Sequence, residues 1–189
     1  MEAAPPRGAP FAGAVLTGGR SRRMGRDKAL LPVDGTAMAR RVADALRRAG
    51  ADPVVAVGGD QAALAALGLD WRRDRYPGEG PLGGLLSAFD ALPGVDVVAV
   101  VATDLPALTA EVVGAVLVEL DAHDVALART DRLEPLCGVW RARSAPVLGA
   151  AFERGERSIH RAVAQLDVVE VPVERAALRN VNVPADLDQ

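Results

Sequence analysis

Four short apolar runs, Ala12–Leu16, Val54–Val57, Val95–Ala102 and Val125–Ala128, are continuous rather than alternating, and Gly, Pro or Asp residues bound them. A strand with one wet face alternates apolar and polar residues. A continuous valine-rich run of this length suits a strand covered on both faces, as in a parallel sheet between two layers of helix. Amphipathic stretches of helical length lie between and around the runs: Thr36–Ala49, Gln61–Leu67, Pro81–Ala91 and Thr109–Leu120. Thr109 suits an N-cap with Glu111 in the first turn, and Pro81 suits a first turn, where its missing N–H is not needed. The alternation predicts an α/β domain with a mainly parallel sheet. After Asp131 the rhythm loosens: Leu136–Trp140 and Val168–Val171 read as strands, Ala145–Glu153 and Ser158–Gln165 as helices. This last third is expected to run antiparallel at the sheet edge.

No internal repeat or linker divides the 189 residues, so the expectation is one domain over 11–189, preceded by a disordered tail over 1–10. Half of the residues are apolar but only 3% are aromatic, which makes the core aliphatic. With 22 basic against 25 acidic residues the formal net charge is −3, unlike the basic footprint of a general nucleic-acid binder. One cysteine, Cys137, and two histidines, His123 and His160, exclude a disulfide framework and a cysteine- or histidine-rich metal centre. Cys137 reads as an inert buried thiol, and the two histidines as surface residues outside any mechanism. The first residues carry no apolar signal-peptide region, and no run approaches the ~18 apolar residues that span a bilayer. A cytoplasmic protein with neither membrane nor nucleic acid as partner is expected.

The segment Leu16-Thr17-Gly18-Gly19-Arg20-Ser21-Arg22-Arg23-Met24-Gly25-Arg26-Asp27-Lys28 follows the first run directly. It therefore stands at the carboxyl end of a strand, where open α/β sheets bind ligands. Gly18 and Gly19 admit a close ligand approach, and successive free N–H groups in such a turn form an anion-binding nest. Arg20, Arg22, Arg23, Arg26 and Lys28 place five cations within nine residues, as a triphosphate requires. The spacing fits neither a Walker A loop nor a Gly-x-Gly-x-x-Gly dinucleotide fingerprint. The competing reading is a solvated basic loop that uses its glycines for a turn. Asp104, just past the third run and braced by Pro106, suits a hard cation held by one or two carboxylates and substrate phosphates. It equally suits a turn before proline.

The pattern Leu-x-Gly-Gly-x-Ser-x-Arg-Met-Gly-x-Asp-Lys resembles the signature of nucleotidyltransferases that activate small phosphorylated molecules. Within these the chain is most similar to the molybdenum cofactor guanylyltransferases, the MobA family, from about Ala12 to Leu187. The resemblance implies a single-domain, Rossmann-like three-layer α/β/α sandwich of the nucleotide-diphospho-sugar transferase type. It implies transfer of GMP from Mg-GTP to the terminal phosphate of molybdopterin or Mo-molybdopterin, with release of pyrophosphate. Leu16, Thr17, Gly18, Gly19, Arg22, Lys28 and Asp104 are then nucleotide-binding, Lys28, Arg23 and Asp104 catalytic, and Asp104 holds Mg2+.

Asp74, upstream of Gly80-Pro81-Leu82-Gly83-Gly84, resembles the family's second motif, which implies that Asp74 and Gly80 bind the nucleotide; read alone, the segment is a loop leading into a helix. Asn180-Val181-Asn182-Val183-Pro184 resembles the closing motif, with Val183 in place of the usual Thr, and implies that Asn180 and Asn182 face the acceptor or the metal; read alone, they are turn formers. Where relatives often carry a nucleotide-contacting asparagine after the second run, this chain has Gly58-Gly59, leaving backbone groups to substitute. The Gly-Gly form of the first motif favours GTP over CTP. A molybdenum-insertion enzyme is the protein partner the resemblance implies. Two alternatives stand beside this reading: cytidylyl or guanylyl transfer to another phosphorylated metabolite (phospholactate, a sugar phosphate), and a non-catalytic nucleotide-binding module.

Overall fold

The computed structural model describes residues 10–18 and 27–179. In chain order the strands are β1 (Ala12–Leu16), β2 (Pro32–Val33), β3 (Thr36–Ala37), β4 (Val54–Val57), β5 (Asp70–Arg72), β6 (Val97–Ala102), β7 (Val125–Arg129), β8 (Leu133–Arg141) and β9 (Val168–Pro172). The α-helices are α1 (Met38–Arg48), α2 (Gln61–Ala66), α3 (Gly80–Ala91), α4 (Ala110–Glu119), α5 (Ala145–Glu153) and α6 (Ile159–Ala162).

Seven strands form one sheet in the order β5-β4-β1-β6-β8-β7-β9, and β2 and β3 form a separate hairpin. Strands β5, β4, β1 and β6 are mutually parallel. From β1 the chain builds outward through β4 and β5, then crosses to β6 on the other side of β1. The order therefore reverses between β1 and β6.

Burial on both faces explains the continuous apolar runs. Along β6, Val97, Ala99 and Val101 join one core cluster while Val98 and Val100 join the other. Val15 of β1 faces the first cluster, and Ala12 and Ala14 face the second. The first cluster takes Ala39, Val42 and Leu46 from α1, Leu64 from α2, and Val113 and Val116 from α4. The second takes Leu82 and Leu85 from α3, Leu148 from α5 and Ile159 from α6. Two helical layers thus enclose the sheet. Small residues set the spacing: a Cβ on Gly13 in β1 would lie 3.1 Å from Leu46 Cδ1, so the glycine lets α1 settle closely. Asp60 caps α2 by accepting from Ala63 N at 2.9 Å, and Thr109 caps α4 as its sequence suggests.

Three features differ from the sequence expectation. The antiparallel strand is β8, and it lies inside the sheet, paired with both β6 and β7; the edge strand β9 is parallel to β7. Thr36 and Ala37 belong to the hairpin, and the helix begins at Met38. The Asp34-Gly35 turn, with φ of 49° and 76°, is the two-residue form whose twist matches that of its flanking strands. The third is β5, too short and charged to register as a buried run. Residues 1–9, including most of the expected tail, lie outside the described residues.

Gly138, in the middle of β8, is the tightest of the glycines among the described residues. A Cβ there would lie 2.4 Å from Leu127 Cδ2 and 3.1 Å from both Ala126 O and Trp140 Nε1. Gly138→Ala overpacks this layer at a cost of ~1–3 kcal/mol, lowering Tm by roughly 2–12 °C in a thermal melt followed by circular dichroism. An unchanged Tm would show that Leu127 repacks freely.

Candidate active site

The reversal between β1 and β6 opens a crevice at the carboxyl ends of both strands, the usual ligand position in open α/β sheets. Thr103, following β6, donates from both its backbone N (3.3 Å) and its Oγ1 (2.7 Å) to Leu16 O, the last carbonyl of β1. On the other side Thr17 N and Gly18 N both donate to Val57 O, at 3.0 and 3.1 Å. Thr17 Oγ1 shares its proton between Val57 O and Gly58 O, at 3.0 and 2.8 Å. Leu16 and Thr17 are buried, and Gly18 is the first exposed residue of the exit. The side chains of Thr17 and Thr103 fasten the three strand ends together.

Asp74 sits beside this exit. Its Oδ1 accepts from Tyr76 N (2.9 Å) and Ser87 Oγ (2.8 Å), and Ser87 Oγ accepts from Arg75 N at 3.0 Å. The other oxygen, Oδ2, lies 3.2 Å from where a Cβ on Gly18 would be. One oxygen therefore anchors the loop, and the second is presented at the mouth of the crevice. Ser87 was not singled out in the sequence, although a serine buried among the leucines of α3 is the kind of signal that marks such an anchor.

Gly58, the first of the two glycines that stand where relatives often carry an asparagine, completes the seam. Its φ is +79°, and a Cβ there would lie 3.0 Å from Gly18 Cα, so a side chain at 58 would press on the exit of β1. Gly58 N donates to Arg72 O at 2.9 Å, and Gly58 O accepts from Thr17 Oγ1 (2.8 Å) and Trp71 Nε1 (2.9 Å). Both backbone groups are engaged within the protein rather than offered to a ligand.

Lys28 enters from a single 3-10 turn, Lys28–Leu30, capped by Asp27, whose Oδ1 accepts from Ala29 N at 3.0 Å. Its Nζ lies 3.9 Å from Asp104 Oδ2, with both side chains half-buried. Burial raises the Asp104 carboxyl pKa above the ordinary value, Lys28 opposes the rise, and Glu134 at the start of β8 adds to it. Glu134 in turn accepts from Thr130 Oγ1 (3.2 Å) and Arg132 Nε (2.9 Å) through Oε1. Among the described residues no three His, Cys, Asp or Glu side chains gather into a metal cage. A single desolvated carboxylate nevertheless suits Mg2+, which retains water and takes phosphate oxygens for its remaining ligands.

The structure thus brings Leu16, Thr17, Gly18, Asp74, Lys28 and Asp104 to one end of the sheet. Gly80 opens α3 against a different neighbour: a Cβ on it would lie 3.3 Å from Arg157 Cβ, and Arg157 Nε pairs with Glu79 Oε2 at 2.7 Å. Gly19, Arg22, Arg23, Asn180 and Asn182 lie outside the described residues. Cys137 is buried and its thiol is pushed up to about 12 by desolvation, as an inert thiol should be. His160 is exposed, and His123 is half-buried beside Asp167.

The family described as "MobA-like NTP transferase domain" matches residues 13–169. A protein of Opitutus terrae named "Probable molybdenum cofactor guanylyltransferase" is 38% identical, covering 95% of this chain and 94% of its own length. The molybdenum cofactor guanylyltransferase of Xanthomonas euvesicatoria pv. vesicatoria is 36% identical, covering 93% and 91%. The crystal structure of molybdopterin-guanine dinucleotide biosynthesis protein A from Archaeoglobus fulgidus superposes with a TM-score of 0.72 at 26% identity, covering 94% of this chain and 95% of that one.

The raised pKa of Asp104 carries a sign. The folded state binds this proton more tightly than the unfolded chain, so the stability contributed is complete below the unfolded pKa. It declines as pH rises through the folded value. Ionised Asp104 therefore destabilises the fold at neutral pH. The Tm of Asp104→Asn at pH 7.5 should equal or exceed that of the parent, with the advantage shrinking at acid pH. A fall of roughly 4 °C, about 1 kcal/mol at this size, would mark Asp104 as structural instead.

Proposed function

Since the chain belongs to the family of MobA-like NTP transferase domains, we propose that it transfers GMP from GTP to the terminal phosphate of molybdopterin or its molybdenum-loaded form, in the cytoplasm. The reading rests on one observation above others. Lys28 and Asp104 meet 3.9 Å apart at the switch point of a chain that resembles named guanylyltransferases over more than nine-tenths of its length.

An oxygen of the acceptor phosphate attacks the α-phosphorus of GTP. The bond from that phosphorus to the bridging oxygen breaks, and pyrophosphate departs with the electron pair. The attacking oxygen is already ionised, so no general base is required. The reaction needs in-line positioning and neutralisation of crowded negative charge. With the Gly18 N–H taken up by Val57 O, the exposed Gly18 leaves room for close approach, and the backbone N–H of Gly19, with Arg22 and Arg23, holds the triphosphate. Lys28 supplies a compact cation beside the α-phosphate, strongest where charge builds in the transition state. Asp104 is the residue that would hold Mg2+, which when bound neutralises phosphate charge as a Lewis acid. Asp74 Oδ2 reads the base, and Asn180 and Asn182 face the acceptor. Among the described residues no helix is long and apolar enough to cross a membrane.

Thermal shift with GTP, CTP, ATP and UTP, each with and without Mg2+, is the first test. GTP at 100 times its Kd should add about 2.7 kcal/mol, roughly 5–10 °C. A shift with CTP alone would instead make the enzyme a cytidylyltransferase. In a pyrophosphate-release assay with molybdopterin, Lys28→Ala should lower kcat by about 10²–10³ with little change in KM for GTP. Weaker GTP binding at an unchanged saturated rate would remove Lys28 from the transition state.

A further inference from the structure

We infer that Arg41, on α1, is a positioning residue for this reaction: it straps the hairpin that follows Lys28 to the turn that follows Asp104, and so fixes the separation of the two charges. The inference rests on the site reading given above. Arg41 Nε donates to Pro106 O at 3.0 Å. Its Nη1 donates to Val33 O at 3.3 Å and to Asp34 Oδ2 at 3.1 Å. Val33 is five residues beyond Lys28 in the chain, and Pro106 is two beyond Asp104. One planar guanidinium therefore joins the two segments behind the point where Lys28 and Asp104 face each other.

The geometry asks for arginine. The fork spreads its N–H donors across a carbonyl and a carboxylate of the hairpin and a carbonyl of the turn after Asp104, whereas a lysine is a single point charge. The contact with Asp34 is partly solvated, since that carboxylate is 83% exposed, and contributes little by itself. The carbonyl contacts are the structural link. Leu105, between Asp104 and Pro106, is buried in the first core cluster, so the turn has a firm base and Arg41 sets where its far side rests. Loss of the strap would let the Lys28 arm move relative to Asp104, and a displacement of about 1 Å is enough to cost catalysis heavily.

Lys28 is the sole lysine among the 22 cationic side chains, which makes the inference testable without turnover. Reductive dimethylation with 13C-formaldehyde labels the Lys28 amine and the amino terminus alone, and Lys28→Arg identifies which resonance is which. At fixed pH, Asp104→Asn should move the Lys28 resonance. Arg41→Met and Arg41→Lys should each move it too, while leaving the amino-terminal resonance in place. A Lys28 resonance unmoved in a folded Arg41 variant overturns the inference, and Arg41→Lys serves if the methionine variant does not fold. In the pyrophosphate-release assay, Arg41→Met should lower kcat about tenfold with KM for GTP changed less than about threefold. In a Lys28→Ala background the same substitution should cost less than about twofold. Equal fold-losses in both backgrounds, or full rescue by Arg41→Lys, would reduce Arg41 to a structural residue. If the parent enzyme releases no pyrophosphate, the proposed reaction fails, and the resonance comparison still decides the role of Arg41.

Discussion

The candidate site depends first on the parallel ladder between β1 and β6. It pairs Ala12 with Val98 through Leu16 with Ala102, at the centre of a sheet covered on both faces. Peptide groups there have no water to turn to, so each must find its partner in the adjacent strand. A slip of one residue would also turn every side chain to the opposite layer. Register is therefore dictated by burial. Once it is set, Thr103 reaches Leu16 O across a sequence separation of 87, and the residues just beyond, Gly18 and Asp104, emerge from neighbouring strand ends. The crevice follows from the ladder's end, with no further device needed to create it.

Charge is distributed on two principles. Among the described residues, many arginine ion pairs lie at the surface, as in Arg129–Glu170, Arg75–Asp90 and Arg175–Asp131, where solvent and salt leave each pair worth about 0–1 kcal/mol. Lys28 is different in type and setting. It is the one place where the chain uses a compact, rotatable ammonium instead of a fork, and it faces a carboxylate that burial makes unfavourable to ionise. A carboxylate held against its own hydration costs the fold stability, and such groups concentrate where a ligand or metal completes the charge balance.

The first half of the fold was readable because its periodicity is unambiguous. Ala12–Leu16 and Val54–Val57 are strands to the residue, and the helix expected over Pro81–Ala91 begins one residue earlier, at Gly80. The second half was less so because β8 is assigned by partners rather than by pattern: its start, Leu133–Leu136, is half-buried, and only its pairing with both β6 and β7 makes it an interior strand. The hairpin was present in the sequence as Asp34-Gly35 and was hidden by the helical pattern that follows it. At the site, Lys28 stood out at the end of a glycine- and arginine-rich turn and Asp104 just past an apolar run, whereas Asp74 was marked only by the resemblance of its segment to a family motif. Ser87 and Arg41 did not, since each acts through long-range contacts that no local spacing encodes.

Gly58 shows how one small residue redistributes work at such a site. Its carbonyl already receives Thr17 and Trp71, and its N–H already reaches Arg72, so the end of β4 serves to lock β1 and β5 together. On the proposed reading, recognition of the base then falls to Asp74, whose Oδ1 is anchored and whose Oδ2 is presented. A carboxylate accepts from paired N–H donors, and the guanine edge offers a ring N–H beside an amino group. Cytosine sets its amino group beside a ring acceptor, which a carboxylate repels. A site that presents a fixed anion rejects the base that leaves it unpaired more firmly than a shape-based pocket would. On that reading, preference for guanine would follow from the orientation of one side chain, which depends on Ser87, buried in α3, and on the absence of any side chain at position 58.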